Sequence, residues 1–157
     1  MRVGIGYDAH RLAIGRPLIL GGVEIPFDKG LEGWSDADVL SHAIMDSLLG
    51  AAGLRDIGYH FPPNDPAYKD ISSIILLNRV ADLLKSHGWR IGNIDATIVA
   101  ERPLLRPFIT QMKQNIALAL SIGETQISVK ATTNEGMGFV GKEEGIAAYA
   151  VALLEKA

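Results

Sequence analysis

Apolar and polar positions change period several times along the chain, and each change marks an element. Arg2 to His10 (RVGIGYDAH) reads as a strand, and LILGGVEIPF, residues 18–27, as two short strands about Gly21-Gly22, a hairpin-type turn. Gly30 and Gly33 mark a loop. From Asp36 to about Gly53 the apolar spacing is helical, with Ser35 as N-cap and Asp36 and Asp38 at the positive end of the helix dipole. A loop rich in Pro, Asn and Asp follows (GYHFPPNDPAYKD). A second helix then starts at Asp70, turns Ile71, Ile74, Leu77, Ala81 and Leu84 inward and stops at Gly88. Trp89 to Ala100 reads as a strand, ERPLLRP as a turn stiffened by Pro103 and Pro107, FITQMKQNIALALSIG as a third amphipathic helix, and Gln126 to Thr133 as another strand. The Ala-rich tail GIAAYAVALLEKA fits helix or strand and is assigned to a closing strand. This order predicts one α+β domain over residues 1–157, a mixed sheet with helices packed on one face.

Composition narrows the function classes. The chain has 157 residues, 48% of them hydrophobic, enough to bury one full core. A net charge of −3 gives no global basic field, so nucleic acid and anionic membrane surfaces are not expected partners. No apolar run approaches the roughly 20 residues of a membrane span, and the N-terminus lacks signal-peptide order, so a cytoplasmic protein is expected. There are no cysteines, which leaves His nitrogen and carboxylate oxygen as the ligands for any zinc.

That raises the value of each histidine. In a strand, residues i and i+2 share a face, so Asp8 and His10 project together as two metal ligands or as one ion pair. On the first helix, Leu40, Ile44, Leu48 and Ala51 form one stripe, while Asp38, His42 and Asp46 recur at intervals of four on nearly the opposite side. Met45 and Leu49 beside His42 indicate a partly covered face, although a helix His is commonly just a satisfied core or surface residue. Asp8, His10 and His42 together make three ligands and leave a fourth tetrahedral position open, the form of a catalytic zinc site, with Asp38 and Asp46 as outer partners of His42. His87 reads as structural, in the last turn of a helix, and His60 as a lid residue or nothing. GIGYDA fits G-x-G-x-x-A with Glu24 or Asp28 at the ribose-acid spacing, but that motif must open a helix and Gly15-Arg16-Pro17 interrupts one.

Near the C-terminus, KATTNEGMGFVGKEEG sets Lys130, Thr132, Thr133, Asn134, Glu135 and Lys142 among four glycines. Hydroxyls, cations and free amides suit phosphate, and Glu135 suits Mg²⁺; a plain polar turn between strands explains the run equally well. Ser35 and the amides beside it are an anion-binding candidate, or only a cap.

Taken together, GYDAHRL, LILGGVEIP, GWSDADVLSHAIMDSLLGAAGLRDIGYHFP, the AERP turn and VKATTNEGMGFVGKEEGIAA resemble the 2-C-methyl-D-erythritol 2,4-cyclodiphosphate synthase family of the non-mevalonate isoprenoid pathway. The resemblance runs in order over essentially the whole chain. It implies a metal-dependent cyclising lyase: the 2-phosphate of 4-diphosphocytidyl-2-C-methyl-D-erythritol 2-phosphate attacks its own β-phosphorus and expels CMP. It implies zinc, or another divalent metal, at Asp8, His10 and His42, and Mg²⁺ or Mn²⁺ at Glu135 with the diphosphate. It places phosphate at Ser35, the methylerythritol moiety at Asp56, Ile57 and Gly58, and a covering loop at Phe61, Pro62, Pro63, Asn64 and Asp65. The turn Ala100, Glu101, Arg102, Pro103, Leu104, Leu105 and Arg106 reads cytosine largely through backbone groups. Thr132, Thr133 and Asn134 belong to the nucleotide and phosphate end, Thr133 stabilising the transition state. The resemblance further implies a homotrimer with sites between subunits, and a central cavity where Phe139 and Lys142 meet an isoprenoid diphosphate.

Two positions depart from the pattern. Many members carry a His, credited with transition-state stabilisation, where this chain has Trp34, which has only an indole N–H donor and cannot be protonated. General-acid or cationic help from position 34 is therefore expected to be dispensable, with metal ions, backbone amides and Thr133 carrying the charge. Lys142, where some members have Arg, keeps the charge but loses bidentate geometry. Two rivals fit the same residues: a zinc-dependent phosphohydrolase that activates water, and a nucleotide- or isoprenoid-diphosphate-binding module.

Overall fold

The computed structural model describes all 157 residues. Five strands form one mixed sheet: β1 (Arg2–Ile14), β4 (Lys29–Leu31), β5 (Trp89–Val99), β6 (Ile127–Thr132) and β7 (Gly145–Lys156), in the order β4-β1-β7-β5-β6. Only β5 and β6 run parallel. The tail is thus a strand, and a central one. β2 (Leu18–Leu20) and β3 (Val23–Ile25) form a separate hairpin, whose Gly21 and Gly22 both have φ above zero, the backbone a tight two-residue turn requires. Helices α1 (Val39–Ala52), α3 (Ser73–Ser86) and α4 (Ile109–Leu120) cover one face; α2 (Ile57–His60) and α5 (Gly138–Gly141) are single turns. One contiguous core of 36 buried residues lies between helices and sheet.

The usual pattern of a strand under a helix is inverted in β1. Gly4 and Gly6 face α1, whereas Val3, Ile5 and Tyr7 stand exposed on the opposite face, 49–71% accessible. A β-carbon on Gly6 would lie 1.9 Å from the Ala43 carbonyl oxygen, and one on Gly4 2.1 Å from that of Ser47. The glycines therefore let the backbone of α1 rest directly on the strand, and this close approach brings the helix residue before Ala43, His42, to the strand residues after Gly6.

Twelve of the fourteen residues of α1 are buried. The polar stripe expected from its sequence is therefore no solvated face: a helix enclosed on all sides hides its periodicity. The helix begins at Val39 with Asp38, not Ser35, as N-cap. Asp38 is fully buried and its carboxylate accepts from the Gly21 and Gly22 amides at 2.9 and 2.8 Å, from the Ser41 amide and from the Ser41 hydroxyl, clamping the hairpin onto the helix. Burial, with the nearby Asp36 charge, pushes its carboxyl above the usual range.

Other boundaries also moved. The loop at Gly30 contains β4, which pairs with the far end of a strand that runs on past His10 to Ile14. The second helix starts at Ser73, not Asp70; Asp70 has a positive φ of 55°, and the Asp36 carboxylate accepts from the Ser73 amide at 3.0 Å and so caps α3 from outside.

Candidate metal centre

At the mouth of the α1–β1 contact, three ligand-type side chains converge. The Asp8 carboxylate oxygen Oδ2 lies 2.8 Å from His10 Nε2 and 3.0 Å from His42 Nδ1, and those two nitrogens are 3.2 Å apart. One donor atom from each lies within 4.8 Å of the others. Burial opposes ionisation of Asp8, but hydrogen bonds and charge from His10 and His42 win and hold its carboxyl down to about 2. Burial likewise opposes a charged His10, and the Asp8 hydrogen bond and charge reverse that and raise it. A carboxylate kept ionised between two imidazoles presents three lone pairs to one point, which suits a divalent cation.

Each imidazole is fixed by its far nitrogen. His10 Nδ1 lies 2.6 Å from the Glu32 carbonyl, so it carries the proton and leaves Nε2 free to ligate. His42 is turned the other way. Its Nε2 lies 2.9 Å from Ser73 Oγ and 3.2 Å from Ser35 Oγ, and Ser73 donates in turn to the Asp36 carboxylate at 2.5 Å. This chain, buried at Ser73 and His42 and half-buried at Asp36, runs Asp36, Ser73, His42. It was invisible in the sequence because its members come from a turn, a helix start and a helix middle. Asp38 and Asp46 do not serve as partners of His42: Asp38 holds the hairpin, and Asp46 accepts from the Ile57 amide at 2.9 Å. Ser73→Ala is expected to lower zinc affinity about tenfold or more, measured by chelator competition, while the fold survives.

A cavity of about 230 Å³ opens over the triad, lined also by Trp34, Ser35, Ile57, Gly58, Phe61, Pro63, Tyr68 and Leu76. Its outer wall is the Pro-rich segment, where α2 is capped by Asp56, whose carboxylate accepts from the Tyr59 amide at 2.9 Å. His60 is not a lid group. Its Nε2 hydrogen-bonds the Leu54 carbonyl at 2.7 Å. His87 is structural as expected, its Nδ1 on the Leu83 carbonyl at 2.9 Å. Gly4 and Gly6 lie within a strand, so the dinucleotide motif is absent in fact as well as by argument.

The remaining sequence candidates gather elsewhere. Ala100, Glu101, Pro103, Leu104, Leu105, Thr132 and Thr133 line, with Ala131, a second cavity of about 190 Å³ that shares no residue with the first. Register separates them: Asp8 pairs with Ala148, Ala148 with Ile98 and Ile98 with Ala131, three strand spacings or roughly 14 Å. Glu101 does more than contribute backbone. Its Oε1 accepts from the Asn134 amide at 2.7 Å and the Gly136 amide at 3.3 Å, which moors the loop that presents Glu135. Arg102 turns away to pair with Glu143 through two 2.7 Å contacts, and Arg106 opens a 3₁₀ turn. Phe139 lines a third recess with Ala9, His10, Arg11, Glu144 and Gly145; Lys142 is exposed beside it.

Comparison with known proteins decides among families. The YgbB family matches residues 1–155. The chain belongs to the YgbB family. A relative from Clostridium kluyveri named 2-C-methyl-D-erythritol 2,4-cyclodiphosphate synthase is 64% identical over 154 residues, covering 98% of this chain and 94% of its own. The bifunctional IspDF of Campylobacter jejuni superposes with a TM-score of 0.96 at 41% identity; it covers 99% of this chain, which spans 42% of that longer protein. The Plasmodium falciparum IspF complex with CDP gives a TM-score of 0.87 at 36% identity, over 99% of this chain and 96% of that one. The YgbB fold is thus the α+β arrangement of mixed sheet and one-sided helices described above, and the enzyme class named by the sequence resemblance is the one its relatives carry.

Proposed function

We propose that this protein converts 4-diphosphocytidyl-2-C-methyl-D-erythritol 2-phosphate to 2-C-methyl-D-erythritol 2,4-cyclodiphosphate and CMP. The observation that carries this reading is the Asp8–His10–His42 cluster at the floor of a cavity, in a chain 64% identical to a relative of that name. The 2-phosphate oxygen forms a bond to the β-phosphorus as the bond from that phosphorus to the CMP oxygen breaks, so neither water nor a protein nucleophile is consumed.

The donor set fits a divalent cation, with each histidine's far nitrogen already committed. Zinc on Asp8, His10 and His42, and Mg²⁺ on Glu135, supply Lewis acidity and charge neutralisation when bound. The chain supplies the rest. Ser35 Oγ, already accepting from the Ala37 amide, directs its own proton toward a phosphate. Asp56, Ile57 and Gly58 position the methylerythritol hydroxyls, and Phe61 to Asp65 exclude water. The Ala100–Arg106 turn reads cytosine through amides and carbonyls, and Thr132, Thr133 and Asn134 hold the diphosphate end, Thr133 meeting charge in the transition state.

We further infer a homotrimer with each site shared between neighbours. Two features support it. Neither cavity alone reaches the roughly 300 Å³ of an ordinary small-molecule site. And the sheet face away from the helices is uncovered: Val3, Ile5 and Tyr7 pair across the register with Leu153, Val151 and Tyr149, a contiguous apolar surface. In the trimer the metal of one chain faces the cytidine turn of the next, and Phe139 and Lys142 approach the axis, where an isoprenoid diphosphate binds.

Turnover of the cytidylyl substrate, followed by phosphorus NMR, tests the reaction: a cyclic diphosphate with stoichiometric CMP supports it, and free phosphate refutes it. Sharing of sites has its own test. Asp8→Ala and Thr133→Ala chains co-expressed in equal amounts are expected to regain about a quarter of wild-type activity by random assembly, above either variant alone. No gain would refute sharing.

A further inference from the structure

Trp34 occupies the position whose usual His was credited with a part in the chemistry, and its surroundings give it a different task. Its indole Nε1–H donates to the Asp65 carbonyl at 2.8 Å. No other hydrogen bond joins residues 62–68 to anything outside 61–71: the Asp65 amide bonds Pro62, the Tyr68 amide bonds Asp65, and the Ala67 amide bonds the Asp65 side chain. Farther along, the Asp70 amide donates to the Trp34 carbonyl at 2.8 Å and the Asp36 amide to the Ile71 carbonyl at 3.1 Å, while the Lys69 ammonium lies 5.9 Å from the indole ring centre. The anchor itself is rigid. Arg16 bonds the Leu31 carbonyl at 3.0 Å and the Ser35 carbonyl at 3.2 Å, which fixes the backbone on both sides of Trp34.

The segment so held carries Phe61, Pro63 and Tyr68, three walls of the metal cavity, with the Phe61 and Tyr68 rings edge to face at 5.5 Å. We propose that Trp34 is a positioning residue that latches residues 61–70 shut over the metal cavity through its indole N–H on the Asp65 carbonyl. The proposal rests on the reading above in taking the phosphorylated substrate to enter this cavity. An indole N–H transfers no proton near neutral pH, so the latch acts on substrate retention and leaves the phosphoryl step to other groups.

The test uses the zinc-loaded protein. Trp34→Phe keeps an aromatic, though smaller, wall and removes the donor. Amide hydrogen exchange at Ala67 and Tyr68, without substrate, is expected to quicken about five- to tenfold, and KM to rise by a similar factor while kcat changes less than about twofold. A second measurement needs no variant: of the two indole N–H protons in the wild-type chain, that of Trp34 exchanges more slowly than that of Trp89 and in step with the amides of 67–70. Unchanged loop exchange, an unprotected Trp34 indole, or a kcat loss of a hundredfold or more, the range of general-acid catalysis, would overturn the proposal. The exchange readouts do not depend on the reaction, so a failure of the cyclisation reading remains distinguishable from a failure of the latch.

Discussion

Asp8→Ala is expected to lower kcat/KM by at least about a thousandfold and to take bound zinc from about one per chain to under about a tenth. Asp8 is the only anion among the three ligand side chains. Without it, His10 Nε2 and His42 Nδ1, 3.2 Å apart, retain their outer partners, the Glu32 carbonyl and Ser73, but have no charge with which to hold a cation. The loss is specific to the site because Asp8 is not a core residue; its side chain is 25% exposed at the end of the α1 contact. Metal content by elemental analysis, alongside a thermal melt of the metal-free protein, separates the two effects. A variant that keeps a full zinc complement would refute the assignment.

Gly6→Ala is expected to cost about 3 kcal/mol or more of folding stability, a large part of the roughly 5–15 kcal/mol a domain of this kind possesses. The conflict is between backbones, so no rotamer relieves it: the new carbon meets the Ala43 carbonyl oxygen at 1.9 Å and the Ser47 amide nitrogen at 2.8 Å. To fold at all, α1 must withdraw from β1, and withdrawal carries His42 away from Asp8 and His10. Urea unfolding reads the first consequence and zinc affinity of the surviving folded fraction the second. A Gly6→Ala protein of wild-type stability and affinity would show that the close approach of α1 does not set the site.

These two residues also show what was legible beforehand. Asp8 and His10 were legible because strand geometry is local: two residues apart means one face. His42 was grouped with them by ligand type and by the family resemblance, but what brings it there is the packing of α1 on β1, which is encoded in glycines, whose absent side chains leave no hydrophobic signature. For the same reason α1 looked two-sided in sequence although it is buried all round, and Asp38, set on a supposed polar face, is a buried clamp. The short strand β4 and the one-turn α2 fall below the length at which periodicity registers. The tail was ambiguous because Ala suits either period; its alternation of Ala148, Ala150 and Ala152 inward with Tyr149 and Val151 outward is what makes it a strand. Family resemblance singled out the Ala100–Arg106 turn and Glu135 as candidates, yet the mooring of Glu135's loop by Glu101, and the turning away of Arg102 to Glu143, follow from side-chain contacts that no spacing rule reaches.

The central claim is that the substrate's own phosphate, held over Asp8, His10 and His42, displaces CMP. Turnover in ¹⁸O-labelled water, with mass analysis of both products, tests it most directly. Intramolecular attack predicts no label in the cyclic diphosphate or in CMP; one labelled oxygen in a linear phosphate product would mean that water is the nucleophile and would contradict the account.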